Sequence, residues 1–263
     1  MRDIINYENI KRFDGFSDIY NDNRPVPPSI ITRIITKYLE RTPDVVVDIG
    51  CGTGLSTGIW AGLADTVIGI EPNDDMRGEA KKTADGKNIY FKKGVSNNTG
   101  LDSDYADIVT VSQAFHWFDI SSALGEAYRI IKPGGIFAVF DCDLPPAIDM
   151  QIEMLYNKLI GKCNKICLSE KNHAVKNDKS SYIKHFKEFG KFRFIKEVLC
   201  HSIEKCDSGR IKGLTLSQGS LQTALKINNS IREEINDFFK FIDIRLTRET
   251  DMILSYRIRI CVK

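Results

Sequence analysis

Val45-Val46-Val47-Asp48-Ile49 is a β-branched run cut off at once by Gly50-Cys51-Gly52-Thr53-Gly54. A short apolar run bounded by glycines reads as a strand buried on both faces, as the strands of parallel sheets are. The alternating glycines let the main chain turn sharply and let a ligand approach it closely. A helix expected behind the loop, through Ala61, brings the unpaired N–H groups of its first turn to the same place. Strand, glycine loop and helix N-terminus in that order point to an α/β fold with a ligand at the strand end.

The alternation continues downstream. Thr66–Glu71 reads as a second strand stopped by Pro72, with a helix over Asn73 to about Thr83. Asn88–Lys92, Asp107–Val111 and Gly135–Asp141 read as the third to fifth strands. A helix over about Ile120–Ile131 separates the last two and ends in the turn Lys132-Pro133-Gly134-Gly135. Ahead of the first strand, Arg24-Pro25-Val26-Pro27-Pro28 is a stiff extended approach, and Ser29 can cap a helix over Ile30–Leu39. Strands separated by helices imply parallel pairing with right-handed crossovers. Residues 148–188 read as mainly helical, Phe192–Ser202 as a strand, Ile231–Ile242 as an amphipathic helix and Met252–Val262 as a terminal strand. The polar stretch Glu170–Ser181 reads as a mobile loop. The expected fold is a Rossmann-like, seven-stranded, mostly parallel sheet with helices on both faces and a mainly helical cap. Residues 1–144 would hold a lid segment and the core; residues 145–263 would hold the cap and the last two strands.

The composition is that of an ordinary globular chain, with 42% hydrophobic and 27% charged residues among 263. A net charge of +2 makes no electrostatic case for nucleic acid or an anionic membrane as partner. Met1–Glu8 has no apolar stretch of the signal-peptide kind, and no later segment approaches a membrane span. The seven scattered cysteines read as reduced in a cytoplasmic protein, monomeric or homodimeric. Cys163 and Cys167 share a helix face, as metal ligands sometimes do. Without a second pair at ligand spacing they read as small buried hydrophobes, and no metal is expected. His173, His185 and His201 lie among charged residues and read as solvated.

Two carboxylates flank the glycine loop. A dinucleotide fingerprint would need its third glycine where Leu55 stands. Asp48, two residues ahead of Gly50, would repel a pyrophosphate and favour an ammonium group, which fits the amino-acid end of S-adenosylmethionine. Glu71 ends the second strand, where a carboxylate can accept both ribose hydroxyls. The plainer readings are a cap or turn residue for Asp48 and a solvated strand end for Glu71.

Four stretches carry a resemblance: Val45–Gly54, Gly69-Ile70-Glu71-Pro72-Asn73-Asp74-Asp75-Met76, Val111-Ser112-Gln113-Ala114-Phe115-His116-Trp117-Phe118 and Arg129-Ile130-Ile131-Lys132-Pro133-Gly134-Gly135. In this order they resemble class I S-adenosylmethionine-dependent methyltransferases of the type 11 group, which includes trans-aconitate methyltransferase-like and quinone-biosynthesis C-methyltransferase-like proteins. The resemblance implies S-adenosylmethionine as cofactor, S-adenosylhomocysteine as product and a small-molecule acceptor. It places Gly50, Cys51, Gly52 and Gly54 at the methionine part, Glu71 on the ribose, and Pro72 and Met76 near the adenine. Gln113 would lie beside the transferable methyl, followed by Ala114 and Phe115. Where the family often has an acidic residue after Gly94, this chain has Val95, so adenine would be read by the backbone of Val95 or Ser96, with the Ser96 or Asn97 side chain substituting. Phe13–Pro25 also looks like the family's leading segment, in which Tyr20 would close the pocket and Arg24 would pair with a carboxylate of cofactor or substrate. An exposed surface helix is the alternative there. Thr215–Leu221 resembles a segment lining the acceptor pocket, with Ser217 and Gln218 as the substrate residues, although ordinary loop chemistry would look the same.

His116 and Trp117 are the expected catalytic residues. They follow the fourth strand, where aromatic faces can shield a sulfonium and a neutral imidazole can take a proton. Phe115 and Phe118 read as anchors of the next helix. Methyl transfer is an in-line displacement that asks mainly for alignment and exclusion of water. A cofactor-binding protein without catalysis and a nicotinamide-dependent oxidoreductase remain as alternatives.

Overall fold

A computed structural model describes Ile10 and residues 14–84, 88–170 and 175–263. The readings of Met1–Glu8, Phe13, His173 and the 171–174 part of the expected loop fall outside these residues. In chain order the elements are α1 (Ser17–Asn23), α2 (Ile30–Thr36), β1 (Val45–Ile49), α3 (Leu55–Gly58), β2 (Thr66–Ile70), α4 (Asp74–Thr83), β3 (Ile89–Lys92), β4 (Ala106–Ser112), α5 (Ile120–Ile130) and β5 (Ile131–Ala147). There follow α6 (Met150–Leu168), α7 (Tyr182–Phe189), β6 (Phe194–Cys206), α8 (Ser208–Leu216), α9 (Gly219–Ile227), α10 (Ile231–Arg245) and β7 (Thr250–Val262). Single 3-10 turns lie at Phe115–Trp117 and Lys179–Ser181.

The seven strands take the order β3-β2-β1-β4-β5-β7-β6. β1 pairs in parallel with β2 and β4, β2 with β3, and β4 with β5. β6 and β7 run in opposite senses, since Glu197 meets Arg257 while Lys205 meets Asp251. The architecture is thus a Rossmann-like, mostly parallel sheet. Strand order reverses between β1 and β4, and ligands of such sheets bind beyond the carboxyl ends at that point.

The chain divides into two compact units. One comprises Val26–Cys142, Lys176–Cys200 and Tyr256–Lys263. Its strands explain the β-branched runs: Val47, Ile49, Val109, Val111, Phe137 and Val139 pack with Leu124, Ala127 and Ile130 of α5 and with Tyr182 and Phe186 of α7. Their alternates Val46, Ile108 and Ala138 are equally buried, so the other face is covered too.

Some boundaries differ from expectation. α2 stops at Thr36 rather than Leu39, and Ser29 makes no side-chain cap; instead the Thr32 hydroxyl donates to the Ser29 carbonyl. α3 lasts only to Gly58 and gives way to turns ending at Gly62, whose φ of +71° is left-handed. Lys132–Gly135 is an irregularity inside β5 rather than a turn before it, because the register jumps between Ala106↔Ile131 and Ile108↔Ile136. Lys263 stitches that irregularity, accepting from the Gly134 amide and donating to the Gly135 carbonyl.

The second unit holds the described residues up to Pro25, those of Asp143–Val175, and His201–Ser255. α6 packs on α9 and α10, with Tyr156 edge-on to Phe238 and Ile152, Leu159, Leu221, Ala224 and Ile235 all buried. Asp149 caps α6 by accepting from the Gln151 and Ile152 amides, and it pairs with Arg245. Cys163 is buried in this packing, and the Cys167 thiol donates to the Ser220 carbonyl. α8 and α9 escaped the sequence reading because Gly209, Gly213 and Gly219 interrupt their apolar periodicity. The leading segment groups with these helices, since Arg210 donates to the Asn23 carbonyl and Lys226 to that of Asp14. Among the described residues, no helix is long and apolar enough to cross a membrane, and no group of three or more potential ligands is arranged to hold a metal ion.

At the amino end of β4, Asp107 is almost fully buried and gathers Arg41, Lys132 and the amides of Asp44 and Val45. Burial pushes this carboxyl up, but the hydrogen bonds from Arg41, Val45 and Lys132 outweigh it and hold the net value below the usual 3.8. The stabilisation is therefore present above the unfolded-chain value and lost as pH falls through the lower folded one. Asp107→Ala should lower unfolding free energy by about 3 kcal/mol at neutral pH, with the difference shrinking in acid, as read by urea titration.

Candidate active site

The loop after β1 runs through three left-handed glycines, with φ of +71° at Gly50, +57° at Gly52 and +85° at Gly54. A Cβ on Gly50 would lie 2.8 Å from the Ala114 Cβ, whereas one on Gly52 would meet nothing within 4 Å. The loop is thus packed at its base and open at its crest, where a side chain would occupy the room a ligand needs. The Gly50 and Cys51 amides both donate to the Ile70 carbonyl, which locks the bend to the end of β2.

Asp48 corrects one expectation. Its carboxylate is fully buried and takes the hydroxyls of Ser56 at 2.7 Å, Thr57 at 2.8 Å and Thr110 at 2.8 Å. Loss of water raises its pKa, and the three hydroxyls offset that only in part. It does not present a bare charge to an ammonium group; it ties β1 to β4 and to the first turn of α3. Cys51 is also turned inward, its thiol pushed up by burial and by the charges of Glu71 and Asp48.

Glu71 stands where the sequence placed it, at the end of β2. One oxygen accepts the Gly52 amide at 3.0 Å and the other the Asn73 amide at 2.8 Å. Each oxygen keeps a further lone pair for a ligand hydroxyl. Burial pushes its pKa up to about 7 despite both amides and Arg77. Asn73 in turn caps α4 by accepting from the Met76 amide. Met76 is buried beneath this cap and Pro72 is half-buried, so Met76 supports the site from below.

Val95 departs from expectation as well. Its amide and carbonyl both bond Asn98 in a tight turn, which leaves the half-buried Ser96 and Asn97 as the polar groups offered there.

Beyond β4, Gln113 adopts a left-handed φ of +53°. Its side chain is held at both ends, donating to the Cys142 carbonyl at 2.8 Å and accepting from Lys179 at 3.1 Å. Lys179 also pairs with Asp141 at 2.7 Å, and Asp141 with Arg259 at 3.0 Å. The sequence reading missed Lys179, Asp141 and Arg259, which come from three separate segments. The only available signal was a charge, Asp141, at the end of an apolar strand. Toward the end of the polar stretch, the Asn177 amide donates to the His116 carbonyl at 2.8 Å, and its side chain to that of Phe118 at 2.7 Å.

Phe115 is wholly buried among Phe118, Phe137, Tyr182 and Phe186. It is a core anchor rather than a cofactor contact. Ala114 packs against the Gly50 bend. His116 is 8% exposed and lies 4.7 Å from the half-buried Trp117, ring centre to ring centre.

In the helical unit, four residues chosen from distant segments meet. Arg24 lies 5.0 Å over the Tyr20 ring and donates to the Ser217 carbonyl and the Gln218 side chain, each at 3.3 Å. Its Nε is buried and has no hydrogen-bond partner among the described residues. Ser217 itself is buried, its hydroxyl turned back to the Leu214 carbonyl, so its main chain contributes rather than its side chain.

Residues 47–139 match the family described as "Methyltransferase domain". The yeast (Saccharomyces cerevisiae) protein named "Probable S-adenosylmethionine-dependent methyltransferase CRG1" is 30% identical over 135 residues, 49% of this chain and 46% of its own length. The chain spans about half the length of the first curated relatives it matches. Among solved structures, YcgJ of Bacillus subtilis superposes with a TM-score of 0.57 at 16% identity, covering 89% of this chain and 97% of its own. A Haemonchus contortus phosphoethanolamine N-methyltransferase, solved with S-adenosylhomocysteine, gives 0.54 at 15% identity, covering 97% and 60%. At these identities the structures speak to the fold alone. Residues 47–139 thus carry a match to a methyltransferase domain on a Rossmann-like sheet.

Glu71 supplies a direct check on the site. Its folded pKa lies above the unfolded value of 4.5, so its ionisation opposes folding: stability should decline as pH rises from about 4.5 to about 7 and level off above. Carbon-13 NMR of the labelled protein without cofactor should show one glutamate carboxyl titrating near pH 7, absent in Glu71→Ala.

Proposed function

We propose that this chain transfers a methyl group from S-adenosylmethionine to a small-molecule acceptor. The observation that carries this reading is the pairing of an open left-handed crest at Gly52 with the buried carboxylate of Glu71, which the Gly52 amide itself holds in place. Such a carboxylate suits two vicinal ribose hydroxyls, and a crest without side chains suits the methionine part lying against it. Bound, the cofactor would supply an activated methyl on sulfonium.

The chain's own residues would do the rest. The Asp48 hydroxyl cage keeps the loop from flexing, and the Glu71 carboxylate orients the nucleoside. Met76 and Pro72 back the adenine side, with Ser96 and Asn97 in place of the acidic residue of the family. Gln113, fixed at both ends by Cys142 and Lys179, holds its place at the end of β4. His116 and Trp117 would line the reacting side, His116 taking the proton of an acceptor that must lose one. In the helical unit, the unsatisfied Nε of Arg24 beside Tyr20 and Gln218 suits an acceptor bearing a carboxylate.

Calorimetric titration with S-adenosylmethionine tests the cofactor site. Glu71→Ala or Gly52→Asp should weaken binding at least tenfold, about 1.4 kcal/mol. Since ribose hydroxyls favour the ionised carboxylate, affinity in the unaltered protein should fall as pH drops below about 7, and this dependence should vanish in Glu71→Ala. Unchanged affinity in both variants would overturn the assignment. With labelled cofactor and a metabolite panel, His116→Ala should keep cofactor affinity and lose rate on acceptors that require deprotonation.

A further inference from the structure

We propose that β6 pairs edge to edge with β6 of a second copy of this chain, antiparallel about a two-fold axis through His201. β6 is the last strand in the sheet order, so one of its edges has no strand neighbour among the described residues. It is 13 residues long and contains no proline, a residue by which sheet edges are commonly blunted. Leu199 is 57% exposed and Ile203 is 68% exposed. Side chains alternate along a strand, so Glu197, Leu199, His201, Ile203 and Lys205 share one face.

This face is self-complementary in one register. With His201 opposite the partner's His201, Leu199 falls opposite the partner's Ile203, and Glu197 opposite the partner's Lys205. Two-fold symmetry repeats both pairs. Centring the axis on Cys200 instead would set Leu199 against a histidine and Glu197 against an isoleucine.

The neighbouring strand extends the charge pattern. Arg257 already holds Glu197 at 3.0 Å and Asp251 holds Lys205 at 2.8 Å. Across the junction the order would be Arg257, Glu197, the partner's Lys205 and the partner's Asp251, alternating in sign throughout. Exposed ion pairs contribute little affinity, so the charges would select the register while the apolar pairs and strand hydrogen bonds hold the dimer. Ile253 of β7 is 40% exposed and adds apolar surface on the same side.

Sedimentation velocity of the full chain tests this proposal. The expected species is a dimer of two 29.8 kDa chains. Ile203→Lys should weaken it at least tenfold, and so should Lys205→Glu, a change at a well-exposed side chain; circular dichroism should remain unchanged in both. In a Cys200→Ser background, His201→Cys should close a covalent dimer under mild oxidation, whereas Phe194→Cys should not. A monomer at every concentration, a dimer indifferent to both substitutions, or failure of the position-201 cross-link would each overturn it. None of these positions belongs to the proposed cofactor loop, so S-adenosylmethionine affinity should survive all of them and a failed dimer would leave the proposed function standing.

Discussion

Asp48 is a carboxylate without water around it, and three hydroxyls take the place of that water. One hydroxyl comes from β4 and two from α3, so the same group that desolvation penalises also fastens three elements at a point. A buried acid with all its hydrogen bonds made is rigid, because moving any partner leaves a polar group bare. That rigidity is what a run of left-handed glycines lacks by itself. The open crest at Gly52 depends on it, and so does the Gly52 amide that Glu71 accepts.

Glu71 shows the opposite balance. Two backbone amides hold it in one geometry, yet burial keeps its pKa near 7, so its charge is available at neutral pH without being fully satisfied. A group of this kind is a poor stabiliser of the fold and a good acceptor for hydroxyls brought by a ligand. The two acids that flank the loop therefore differ: one holds the scaffold, and the other would serve the proposed cofactor. Lys179 plays a comparable supporting part for Gln113, fixing a side chain that a left-handed backbone at the strand end would otherwise leave mobile.

The strand-glycine-helix unit, the segments that form the first five strands and the positions of Glu71 after β2 and His116 after β4 were legible in the chain because each is written in local chemistry. β-branched runs mark buried strands, glycines mark the bend, and prolines and caps mark the stops. The helices α8 and α9 were not legible, because glycines break their periodicity and packing on α6 supplies what propensity lacks. Phe115 could not be told from a lining residue by sequence, since an aromatic next to a site and one under it read alike. The inward turn of Asp48 was hidden for a related reason: its partners Ser56, Thr57 and Thr110 become neighbours only after β1 and β4 have paired.

By itself, the sequence determined the sheet-forming segments, the bend at residues 50–54 and the acid at the end of β2, because these rest on contacts between near neighbours and on backbone freedom. Tertiary structure alone decided which carboxylate is sealed and which is offered, how Lys179, Asp141 and Arg259 come to brace Gln113, and that Tyr20 and Arg24 meet Ser217 and Gln218. Those outcomes depend on desolvation and on partners almost two hundred positions apart, and neither is written in any short stretch of chain.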